Sequence, residues 1–102
     1  MMLADDARTA APYFEQTVKL YADLRSRGVA HQQLPMQLAL AEMNLGNIAR
    51  SRGLGAAACE HFRRSAASLD EAPAEALRTA AWNPEYARSA ARSCGPASTA
   101  TR

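Results

Sequence analysis

The glycines and prolines constrain this chain most, because they cut it into segments that each carry a helical pattern of apolar residues. From about Asp6 to Arg27, Phe14, Val18 and Tyr21 fall on one stripe with Leu20 and Leu24 beside it. Gly28 then ends that helix, glycine being the residue that most readily takes the left-handed conformation past a helix terminus. Pro35 suits the first turn of a second helix, where its missing donor costs nothing, and Leu38, Ala41, Leu45 and Ile48 form the buried stripe. Gly53-Leu54-Gly55 breaks the chain again. A third helix from about Ala56 to Leu69 turns Ala58, Cys59, Phe62, Ala66 and Leu69 inward. So short a connection makes helices two and three antiparallel neighbours, and the fold class expected is all-α, built from antiparallel helical hairpins.

After Pro73 the pattern weakens. Ala74 to Trp82 can be helical, Asn83-Pro84 interrupts, and Glu85 to Ser93 reads as one more short helix. Residues 95–102 lack apolar periodicity and are expected to be disordered. The organisation predicted is a helical domain over 1–72, degenerate or capping helices over 73–94, and a tail over 95–102.

At 102 residues, with aromatics only 6% and alanine supplying much of the 48% hydrophobic content, the core must be thin, and close helix packing has to substitute for bulk. The formal net charge is +2, and Lys19 is the only lysine. Arg50, Arg52, Arg63, Arg64, Arg88 and Arg92 could form a basic patch, yet acidic residues are interleaved with them, as at Glu60 and Arg64, and no aromatic stacking residues accompany them. Nucleic-acid binding is therefore not the default reading. Cys59 and Cys94 form no CxxC or CxxH motif, and the expectation is a reduced, buried Cys59 in a cytoplasmic protein. His31 and His61 have no ligand spacing, no catalytic constellation emerges, and no segment approaches transmembrane length. No metal or cofactor is expected, and the chain reads as a non-enzyme.

Asn44-Leu45-Gly46-Asn47, followed by Gly53, Ala58 and Phe62, resembles one tetratricopeptide (TPR) repeat. In that family a Leu-Gly pair on the first helix precedes a glycine turn, then an alanine and an aromatic on the second. Gly46 and Ala58 let the helices approach closely, while Phe62 fills the groove toward the neighbouring helix. The chain departs from the pattern at Ala49, Gly55 and Ser65. Tyr21 corresponds to Phe62 in a preceding half-repeat, at a spacing longer than the usual ~34 residues. About one and a half repeats are visible where stacks generally need ~3, which implies self-association, capping by the poorly matching helices, or a piece of a longer array or of a multidomain regulator.

The resemblance implies a TPR-like superhelix fragment whose first helix lines a peptide groove. Asn44 matches the asparagine that bonds an extended peptide backbone, and Leu40, Met43, Asn47, Arg50 and Ser51 flank it as further peptide-binding residues. The partner expected is a protein or peptide, with a second copy of the chain as the alternative.

Overall fold

The computed structural model describes residues 3–29 and 33–94, with residues 3–9 described by their backbone alone. Five helices follow one another: α1 (Leu3–Ser26), α2 (Leu34–Ser51), α3 (Gly55–Glu71), α4 (Ala74–Arg78) and α5 (Pro84–Ser93). Among the described residues there is no strand, so the fold is all-α. His31 and the 95–102 tail lie outside the described residues.

The helix ends follow from local chemistry. Gly28 and Gly53 hold φ of 81° and 76°, the left-handed conformation that lets the chain turn out of α1 and α2. Gly55, by contrast, is simply the first residue of α3. Pro35 stands in the first turn of α2, as its locked φ favours. Pro12 sits inside α1 at the expense of one backbone hydrogen bond. Helix α4 stops at Arg78 instead of continuing to Trp82. Thr79 Oγ1 donates to the Glu75 carbonyl at 2.9 Å, a local bond that competes with helix continuation. Asn83 and Pro84 start a helix, because the Asn83 side chain accepts from the Glu85 amide at 3.1 Å as an N-cap.

The α2–α3 hairpin is the centre of the molecule, with α1 packed on α2 and α5 on α3. A Cβ built on Gly46 would stand 2.7–2.9 Å from three ring carbons of Phe62, so only glycine admits the ring at this level. Phe62, 1% exposed, clusters there with Ala49, Ala58 and Ala90. At the other end of the hairpin, Met36, Ala39 and Leu69 pack with Ala76 and Ala87, and Trp82 leans on them.

Two polar links cross the same seam. Ser65 Oγ donates to the Ala39 carbonyl at 2.6 Å, a bond that alanine could not make. The buried Glu42 carboxylate meets His61 Nδ1 at 2.7 Å. His61 is thereby engaged with α2 and not with Cys59.

The expectation of a free, reduced Cys59 is overturned. Cys59 is only partly buried and is disulfide-bonded to Cys94, with Cα atoms 5.8 Å apart. The reason is the course of α5, which returns along α3 and brings its C-terminal end to the N-terminal half of that helix. Helix α1 differs again. Phe14, Val18, Tyr21 and Leu24 are half-buried, and Leu20 is 56% exposed.

Candidate functional site

The residues predicted to bind a peptide occupy one side of α2, and the structure divides them. Met43, Asn47 and Arg50 recur at helical spacing and meet the segment that leads into α5. Met43 and Asn47 line a shallow cleft of about 400 Å³ together with Trp82, Asn83 and Tyr86. Leu40, Asn44 and Ser51 lie beside this stripe and do not line the cleft.

Asn47 and Arg50 are the best-connected of the six. Asn47 Oδ1 accepts from Tyr86 Oη at 2.7 Å and from Arg50 Nη2 at 3.0 Å. Arg50 Nη2 also donates to Tyr86 Oη. The Arg50 guanidinium stands 5.1 Å from the centroid of the Phe62 ring and 6.0 Å from that of Tyr86, within cation–π range of both. Tyr86 in turn meets Phe62 edge to face at 6.3 Å. Arg50 is thus held by aromatic faces and an amide oxygen, and no ion pair to a carboxylate involves it among the described residues. The Asn47 NH₂ makes no hydrogen bond among the described residues, which leaves two donors at the cleft wall.

Asn44, expected to be the principal backbone reader, donates from Nδ2 to the Leu40 carbonyl of its own helix at 3.0 Å. Ser51 likewise bonds the Ile48 carbonyl at 2.8 Å. Both satisfy α2 itself.

Four of the six arginines of the expected basic patch are tied to carboxylates. Arg63 and Arg64 face Glu60 at 3.6 and 3.4 Å, Arg88 faces Asp70 at 3.5 Å, and Arg92 faces Glu85 at 2.8 Å. The Arg92 bond holds the Glu85 carboxyl below the usual carboxylate range. Such pairs disperse positive charge over the surface instead of presenting a stripe for phosphates.

Trp82, Asn83 and Tyr86 are the cleft residues that sequence reasoning missed. A signal was present: Asn-Pro marks the N-cap and first position of a helix, which puts Tyr86 in the first turn, two positions beyond the proline. What no pattern supplied was the docking of that turn against Asn47.

Chemically, the cleft offers two side-chain amides, a thioether and two aromatic rings. No carboxylate, histidine or cysteine lines it. Among the described residues no group of three or more His, Cys, Asp or Glu could hold a metal ion, and no helix is long and apolar enough to cross a membrane. Amides satisfy an extended backbone, and rings with a methionine cover an apolar side chain. No protein-family model matches the chain, and neither a curated protein nor a solved structure matches it.

Proposed function

We propose that this chain is a non-enzymatic interaction module of tetratricopeptide type, which takes an extended peptide segment in the cleft between α2 and residues 82–86. The observation that carries the reading is the meeting of Met43 and Asn47 with Trp82, Asn83 and Tyr86 around one open cleft. Asn47 supplies backbone hydrogen bonds, Trp82 and Met43 receive an apolar side chain, and Arg50 positions Asn47 and Tyr86. Asn44 becomes an accessory residue, since one of its donors already serves its own helix.

Selection of binders from a random peptide display library, followed by affinity measurement on variants, tests this. Asn47→Ala and Trp82→Ala are expected to weaken a selected peptide at least about tenfold, each lost contact being worth ~1–2 kcal/mol, with far-UV ellipticity retained. Asn44→Ala is expected to weaken it less. Binding unchanged in both Asn47→Ala and Trp82→Ala removes the cleft from the assignment.

A second reading, self-association, is favoured by α1. Tyr13 is 66% exposed and Leu20 56%, and both line a groove with Gln16, Tyr21 and Gln37. Light scattering after gel filtration separates the two readings, because a monodisperse monomer at high concentration counts against self-association.

A cytoplasmic setting fits this chain if the Cys59–Cys94 bond is one that forms and breaks there, since lasting disulfides belong to oxidising compartments.

A further inference from the structure

The peptide cleft has walls from two places that the fold holds together weakly. Met43 and Asn47 belong to α2, while Trp82, Asn83 and Tyr86 lead into and begin α5. The side chains that α5 buries fully are Ala87 and Ala90, whose methyl groups remove little apolar surface from water. Beyond these, α5 is attached by the Tyr86 ring against Phe62 and Arg50, the exposed Tyr86–Asn47 and Arg50 hydrogen bonds, the Arg88–Asp70 pair and one covalent link at its far end, Cys94 to Cys59. Both cysteines are partly exposed, so a thiolate in solution can reach the bond.

We propose that the Cys59–Cys94 disulfide is a redox clasp which keeps the cleft assembled, so that the oxidised chain binds peptide and the reduced chain does not. The electrons come from a dithiol. Its thiolate attacks Cys94 Sγ, the S–S bond breaks, and Cys59 leaves as a thiolate that takes up a proton. The second thiol of the reductant then displaces Cys94, which also gains a proton. One protein disulfide becomes two thiols, and the dithiol becomes a disulfide. With the clasp open, α5 undocks from α3, Tyr86 leaves Asn47 and Arg50, and the wall formed by residues 82–86 separates from α2. Apparent affinity then falls in proportion to the fraction of molecules with α5 docked.

The consequence for peptide rests on the reading of the cleft given above, but the clasp is tested without any ligand. Trp82, the single tryptophan of the chain, lines the cleft and reports on it directly. The experiment compares the full chain oxidised, reduced with dithiothreitol, and as the Cys94→Ser variant, by acrylamide quenching of Trp82 and by amide hydrogen exchange. Expected in the reduced and Cys94→Ser forms are stronger quenching and a loss of protection across 84–93 of at least about tenfold, while α2 and α3 amides keep theirs. Equal quenching and equal exchange in all three forms overturn the clasp. Collapse of α2 and α3 protection along with α5 also overturns it, by making the bond a staple of the whole fold. A clasp that behaves as expected in a protein from which no peptide can be selected would leave the redox device standing and remove the peptide.

Discussion

The two flanks of the central hairpin are fastened in opposite ways. Helix α1, 24 residues long, brings bulky side chains to α2 but leaves them half-covered, with Leu20 and Tyr13 in solvent. Helix α5, 10 residues long, brings alanines to α3, buries them fully, and adds an N-cap, hydrogen bonds and a disulfide. A long helix can hold on by area alone. A short one made of small residues cannot, because each buried methylene contributes only ~0.8 kcal/mol against ~1–2 kcal/mol of backbone entropy per ordered residue. The covalent link, typically worth about 2–4 kcal/mol, adds to what so little burial supplies. The proposed peptide cleft draws its second wall from the clasped flank, through Tyr86 and the residues that lead into α5, and not from the half-covered one.

The largest effect should come from the residue that both serves the hairpin and reaches α5. Phe62 stands against Gly46 on one side and Tyr86 on the other. Phe62→Ala is expected to cost about 3–5 kcal/mol in urea unfolding, with α5 protection lost first. A cost below about 1 kcal/mol would mean that the hairpin does not depend on this ring. Next comes Ala87→Leu on α5. Ala87 has no exposed surface, so the added carbons must push α5 off α3, at about 1–3 kcal/mol. The loss should be smaller in the reduced protein, where α5 is already released. An equal loss in both redox states would break the contrast between the flanks.

How much of this was legible depended on the kind of interaction. Gly28, Gly53 and Pro35 act through their own backbones, so helix ends could be read locally. Close approach of α2 and α3 could be expected from Gly46 and Ala58, two small residues on facing helices, but the Phe62 ring lying directly over Gly46 emerged only from the packing. The disulfide was not legible. Two cysteines in a chain this size carry no spacing signal, and their approach depends on α5 turning back along α3. Of the expected site, Met43, Asn47 and Arg50 share a helical stripe that meets residues 82–86, whereas the bond of Asn44 to the Leu40 carbonyl is invisible to a pattern. Trp82, Asn83 and Tyr86 were missed for the reason that hid the disulfide: their place beside α2 depends on tertiary docking of α5.

The smallest expected effect lies on α1, and it is the most informative about that flank. Leu20 is 56% exposed, so Leu20→Ala removes little buried surface, and leucine to alanine slightly favours helix. The stability change should stay within about 0.5 kcal/mol and be independent of protein concentration. A loss of more than about 1 kcal/mol that grows as the protein is concentrated would show that this face is covered in solution, because a ligand of the folded state raises stability by mass action. The covering molecule would then be a second copy, and α1 would hold on by area after all, with half of that area supplied by its partner. A loss of the same size with no concentration dependence would instead place Leu20 in a tighter α1–α2 contact than its exposure allows. The contrast between a half-covered flank and a clasped one would then fail on the α1 side.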